Sequence, residues 1–355
     1  MKLINVFAAL LITLPLPVSA TNYEPMEHRT FEHDGVEREY FVHVPDDASG
    51  KLPVVLAIHG YTSTATGFAV FHDLNSHADK KGYIVVYPQG SHFVAEDSER
   101  PYRATSWNFF VGDTPDPEAG PQCSADAHHY PCAPECGVCD RCDWTSCYND
   151  MGYFEKLLDA IESEFDTDTS RYYALGMSNG GMMTLRLGCN MSSHFAAIAP
   201  IAAQLPAGFN CAPTTDLPMI HLGGGKDNTV RIDGGINGDG FFYVSVTELA
   251  ADWAEALHCE SGPGEWETEL TNKAELSCMA YSSCKVRGHE VVSCVDPDET
   301  HNWPARRPGG AWPTCVTHQQ YETMPEQRHC EPRTESGPHV GMDIIWSFFE
   351  RYRRD

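Results

Sequence analysis

The chain has 355 residues, with 24 Lys and Arg against 50 Asp and Glu and a formal net charge of −26. That charge argues against nucleic acid as a partner, because phosphates would be repelled, and it disfavours polyanionic substrates. Its plainest role is to keep the protein in solution.

Residues 1–20 read as an export signal. Lys2 gives a positive start, Leu3 to Leu14 are mostly apolar, and Val18-Ser19-Ala20 is a small-residue cleavage site. The apolar run is too short for a membrane span, and no later segment reaches about 18 apolar residues. The expected product is therefore secreted, extracellular or periplasmic, with no membrane partner, and a monomer. Residues 21–355 read as one domain carrying two insertions, a cysteine-rich one at 113–147 and a second at 305–338.

Residues 28–44 alternate as an edge hairpin does, through Tyr40, Val42 and Val44. Leu52 to Ile58 and Tyr83 to Tyr87 are continuous apolar runs suited to strands buried on both faces, with a helix over 68–81 between them. Residues 90–148 are irregular, rich in Pro, Gly, Asp and Cys, and a loop of that length is expected to be functional or cross-linked. Met151, Phe154, Leu157, Leu158, Ile161 and Phe165 then share one helical face. Tyr172 to Gly176 reads as a short strand, Asn179 to Cys189 as a helix, and Leu217 to Leu222 as a buried strand. An amphipathic helix over 246–257, a strand at 290–295 and a final helix over 340–352 close the chain. Strands alternating with amphipathic helices predict an α/β fold with a mostly parallel sheet covered on both faces.

Fourteen cysteines, an even number, point to a disulfide framework. Six fall between Cys123 and Cys147, and export favours up to three disulfides there. The competing reading is a zinc shell on Cys136, Cys139 and Cys142 with His128 or His129. For the later cysteines the spacing suggests 189–211, 259–278, 284–294 and 315–330, although spacing alone cannot fix connectivity.

The chemistry concentrates at Gly176-Met177-Ser178-Asn179-Gly180, which follows a strand and opens a helix. That context is what a nucleophile elbow demands, since its glycines admit the sharp turn that lifts a serine hydroxyl above the sheet edge. Serine needs a neighbouring base, and in this fold acid and histidine follow in the order Ser, Asp or Glu, His, each after a later strand. Asp227 after the 217–222 strand takes the place of the acid, with Asp233 and Asp239 as alternatives. His301 after the 290–295 strand takes the place of the base, with His339 and His289 in reserve. An oxyanion hole needs two backbone N–H groups. They are assigned to Asn179, which follows the nucleophile, and to Tyr61 in the Ile58-His59-Gly60-Tyr61-Thr62 loop, with Thr62 as the alternative.

The chain resembles the secreted feruloyl esterase and polyhydroxybutyrate depolymerase group of α/β hydrolases. The resemblance rests on His59-Gly60, Ser106-Trp107-Asn108, Asn149-Asp150-Met151-Gly152-Tyr153, the Gly176–Gly181 elbow and Phe195 to Pro200. It extends to Asp227 with Gly234-Gly235 and to His301-Asn302-Trp303-Pro304, covering residues 28–304 and the last helix. Residues 113–147 and 305–338 depart from the group's pattern, and both are expected to border the active site.

The expected function is hydrolysis of a carboxylic ester, feruloyl or another plant-wall, aryl or short-chain ester, free or attached to a polymer. Ser178, His301 and Asp227 would act through an acyl-enzyme, with no metal or cofactor. Trp107 and Trp303 are candidates for aromatic walls of the substrate site, or equally for the core. An extracellular polyester depolymerase is the alternative; such enzymes tend to carry a linker and a separate binding domain that are not read here. A non-catalytic binding protein on the same scaffold is the third reading.

Overall fold

The computed structural model describes residues 26–354 except 48, 96–101, 110–119, 132, 138–141, 143–145, 210, 306–313, 326 and 331–338. The expected export signal lies outside the described residues. So do Cys132, Cys139 and parts of both insertions.

The chain opens with a hairpin, β1 (Glu27–His33) and β2 (Val36–His43), whose turn residues Asp34 and Gly35 both take positive φ. An Asp-Gly pair tolerates that conformation, and the turn matches the twist of the strands it joins. β3 (Leu52–Ile58) follows, then α1 (Ala65–His72), α2 (Leu74–Lys81) and β4 (Ile84–Pro88). One helix was expected over 68–81. Asp73 instead adopts the left-handed conformation at φ 52°, which ends α1 and starts α2.

A small hairpin, β5 (Ser91–Ala95) and β6 (Tyr102–Ser106), lies within the stretch expected to be irregular. Next come α3 (Asp150–Glu164), β7 (Thr167–Met177), α4 (Asn179–Asn190), β8 (Ala197–Ile201) and β9 (Met219–Gly224). Two-residue strands β10 (Gly235–Ile236) and β11 (Phe242–Tyr243) pair with each other. α5 (Val246–Ala256), β12 (Ser261–Glu265), α6 (Glu269–Lys273), β13 (Ser277–Ser282), β14 (Val291–Asp296) and α7 (Val340–Phe349) complete the chain.

Ten strands form the main sheet in the order β1-β2-β4-β3-β7-β8-β9-β14-β13-β12. The six from β4 to β14 run parallel, and an antiparallel pair flanks each side. The chain leaves β3 for β4 on one side and returns to β7 on the other. That reversal opens a crevice at the carboxyl ends of the strands, where open α/β sheets bind ligands. Apolar layers cover both faces, with Leu56, Leu157 and Trp253 in one and Tyr83, Ile345 and Phe349 in the other. This is the α/β-hydrolase fold, as expected.

Six disulfides join described cysteines. Cys189–Cys211 and Cys315–Cys330 pair as expected. The other two later pairings are corrected to Cys259–Cys284 and Cys278–Cys294. The reason is register: Cys278 and Cys294 stand directly opposite each other on antiparallel β13 and β14, a juxtaposition that chain spacing does not reveal. In the cysteine-rich insertion, Cys123–Cys142 and Cys136–Cys147 hold sulfurs that the zinc reading would need as thiolates. Peptide mapping of the unreduced protein is expected to recover Cys259–Cys284 and Cys278–Cys294 as linked pairs. A Cys259–Cys278 cross-link would contradict this register.

Candidate active site

Four strand ends supply the site. β7 delivers Ser178 on a turn whose backbone, at φ 57° and ψ −124°, lies where non-glycine residues are rarely found. The turn closes because glycines flank the serine. A Cβ on Gly176 would stand 2.3 Å from the Gly180 carbonyl, and one on Gly180 would stand 2.2 Å from the Ile58 carbonyl. Only glycine permits this approach of α4 to β3.

The loop after β9 brings Asp227, and the loop after β14 brings His301. The imidazole sits between the other two side chains. Nε2 lies 2.9 Å from Ser178 Oγ and Nδ1 lies 2.6 Å from Asp227 Oδ2. All three residues are buried. The other Asp227 oxygen, Oδ1, accepts from the Thr229 and Val230 N–H groups at 2.8 and 2.9 Å, which fixes the carboxylate plane. With a carboxylate at Nδ1, the neutral ring carries its proton there and turns the Nε2 lone pair to the serine hydroxyl.

The alternatives for acid and base sit elsewhere. Asp233 pairs with Arg231, His339 caps α7 through Met342 N–H, and His289 packs edge-on against Tyr352. Asp239 does reach the cavity, but away from the His301 ring nitrogens, which face Asp227 and Ser178.

Asn179 is the first residue of α4, where a backbone N–H has no partner within the helix. Thr62 N–H donates to the Thr105 carbonyl at 2.8 Å, so the alternative oxyanion donor is already engaged by the backbone. The loop bearing Tyr61 is held from behind by His59, a residue whose role was not read from the sequence. His59 Nδ1 donates to the Gly60 carbonyl at 2.8 Å, and Nε2 accepts from the Gly90 N–H at 2.9 Å. Full burial lowers its pKa to about 4, so the ring stays neutral and keeps that polarity. Trp107 Nε1 donates to the His59 carbonyl, and the Asn179 side chain bonds both backbone groups of Trp107. This network ties the elbow to the Tyr61 loop.

Of the two readings of the tryptophans, burial favours the core. Trp107 and Trp303 are fully buried and neither lines the cavity. Trp303 packs against Phe68, His72 and His339 below α1 and α7. Trp107 packs in turn against His59 and Phe154, and each indole belongs to one of the two apolar layers.

A cavity of about 270 Å³ opens over Ser178 and His301, walled by Tyr61, Tyr130, Val230, Phe241 and Tyr243, with Asp239 at its side. Tyr130 comes from the cysteine-rich insertion. That insertion joins the 237–243 segment through Ser124 N–H to the Gly240 carbonyl, His128 N–H to the Asp239 carbonyl and Phe242 N–H to the Gln122 carbonyl. This insertion therefore borders the site as expected. Among the described residues of the second insertion none lines the cavity; they engage α1, β2 and Gln89 through Gln320 and Thr323.

Burial also holds His221 at about 4. Unfolding frees it and His59 to titrate near the usual 6.5, so the unfolded chain binds more protons between these values. Stability should thus be complete above about pH 6.5 and fall as pH drops toward 4, by at most about 3 kcal/mol per ring. Melting curves from pH 7 to 4.5 check this; an unchanged midpoint would contradict neutral burial.

Among the described residues, no helix is long and apolar enough to cross a membrane. No known family profile matches the chain. It is similar to Feruloyl esterase B of Piromyces equi, 27% identical over 41% of this chain and 28% of that protein. It is also similar to a putative esterase, NocK, of Nocardia uniformis subsp. tsuyamanensis, 25% identical over 85% of this chain and 82% of that one. Among solved structures, the acetyl xylan esterase from Aspergillus awamori aligns with a TM-score of 0.49 at 15% identity, over 78% of this chain and 95% of its own. The chain thus spans only about a quarter of the first relative and most of the second. By its strand order the chain has the α/β-hydrolase fold, and its sequence is similar to proteins named as esterases.

Proposed function

We propose that the chain is a secreted serine hydrolase of carboxylic esters, acting as one catalytic domain, with Ser178 as nucleophile, His301 as general base and Asp227 as its orienting acid. The observation that carries this reading is a single imidazole bridging Ser178 Oγ and Asp227 Oδ2 at the floor of a cavity. In the first step Nε2 takes the serine proton as Oγ attacks the ester carbonyl. The N–H groups of Asn179 and Tyr61 receive the developing oxyanion. His301 returns the proton to the departing alkoxide, and the acyl group stays on Ser178. Water, deprotonated by the same nitrogen, then releases the acid.

The aromatic walls and the size of the cavity favour a small aryl or acyl group over a long chain. Feruloyl and acetylxylan esterase activities belong to relatives by name, which supports plant-wall esters as the substrate class. The disulfides are suited to an exported protein.

A phosphonofluoridate should add one phosphonyl group to the peptide containing Ser178 and abolish hydrolysis of p-nitrophenyl acetate in parallel. An unlabelled serine in an active preparation would sink the mechanism, and an inert protein would leave the non-catalytic reading. Methyl ferulate and a polyhydroxybutyrate film assayed side by side divide the esterase from the depolymerase. Soluble ester cleaved without erosion of the film is the expected result.

A further inference from the structure

The cavity wall carries the Asp239 carboxylate, which no Lys or Arg among the described residues neutralises. Asp239 accepts the Tyr130 hydroxyl at 3.0 Å on Oδ2, and its backbone N–H is held by Asn237 Oδ1 at 3.0 Å. These bonds position the carboxylate without cancelling its charge. Among the described residues no Lys or Arg lines the cavity or pairs with Asp239. The two basic residues of the adjoining loop are spent on other carboxylates, Lys226 on Asp298 and Arg231 on Asp233, each at 2.6 Å. The rings of Tyr61, Tyr130, Phe241 and Tyr243 line the same cavity as Asp239, and the whole chain carries a net charge of −26.

Aromatic faces beside an uncompensated carboxylate, under a negative field, are the combination that attracts an organic cation. We propose that this pocket selects esters by charge, favouring those that place a quaternary ammonium group against Asp239 and the aromatic walls, and rejecting those that place a carboxylate there. Asp239 is the residue that determines this preference, and Tyr130 holds it in place. The inference rests on the serine-hydrolase reading and adds a charge preference among the esters that the same site accepts. The ammonium can sit on the alcohol side or on the acyl side of the ester.

Two pairs of substrates that differ only in charge test it. Acetylcholine and its carbon isostere neohexyl acetate place the charge on the alcohol. Betaine ethyl ester and ethyl tert-butylacetate place it on the acyl group. For each pair the ratio of kcat/KM, cation over neutral, is measured in the wild type and in Asp239→Asn. In at least one pair the wild-type ratio should exceed that of the variant by about tenfold, which removes intrinsic ester reactivity from the comparison. The pair that responds identifies the side of the ester.

Ratios within about twofold of each other in both pairs would overturn the charge preference while leaving the hydrolase standing. Failure of the wild type to cleave all four, together with an unlabelled Ser178, would remove both readings. In the wild type alone, tetramethylammonium chloride should inhibit cleavage of neohexyl acetate more than sodium chloride at equal ionic strength. Equal inhibition counts against the proposal.

Discussion

Ser178→Ala is expected to lower kcat on p-nitrophenyl acetate by about 10⁴- to 10⁶-fold, with a much smaller change in KM. The hydroxyl is the only atom lost, and it is the atom that forms the acyl-enzyme. The strain of the elbow should be little altered, because alanine has the same Cβ at φ 57° that serine has. Gly176 and Gly180 still admit the turn, so the fold should persist with a melting temperature within a few degrees of the parent. Residual catalysis would come from the two oxyanion N–H groups and from binding. Retention of more than about 1% of kcat would show that the ester is cleaved by another group.

Asp227→Asn is expected to cost about 10³- to 10⁴-fold in kcat, although the substitution is nearly isosteric. Thr229 and Val230 N–H groups both point at Oδ1. The asparagine must place its carbonyl oxygen there, because an NH₂ group would face two donors. Its NH₂ is thereby turned toward His301 Nδ1, which must accept. The imidazole proton then moves to Nε2, where it faces Ser178 as a donor and cannot remove the serine proton. Steady-state kinetics on the variant provide the measurement. A loss smaller than about tenfold would mean that Asp227 does not set the tautomer.

Much of this was legible in the sequence because it follows from local chemistry. The Gly-x-Ser-x-Gly turn and the buried runs at β3 and β9 each carry a signal in consecutive residues, and Asp227 and His301 were read from their places after later strands. The misses have physical causes. β8 was not read as a strand because Pro200 cannot donate to a ladder, yet it sits between two parallel neighbours. β12, with the sequence Ser-Gly-Pro-Gly-Glu, has almost no strand propensity and is an edge. The indoles of Trp107 and Trp303 face the core, a direction set by loops whose course no periodicity reveals. Tyr130 reaches the cavity because disulfides and backbone bonds fold its loop over the 237–243 segment. That arrangement is tertiary, and nothing in the neighbouring residues announces it.

The join between the cysteine-rich segment and the 237–243 segment has a consequence for how the cavity can vary. In the proposed reaction bond making and breaking rest on the strand ends of the sheet, whereas the cavity wall above them is shared by Tyr130 of the clamped appendage and by Asp239, Phe241 and Tyr243 of the segment it is joined to. Exchanging the appendage for one of another length is therefore expected to reshape one wall of the cavity while leaving Ser178, Asp227 and His301 on their strand ends.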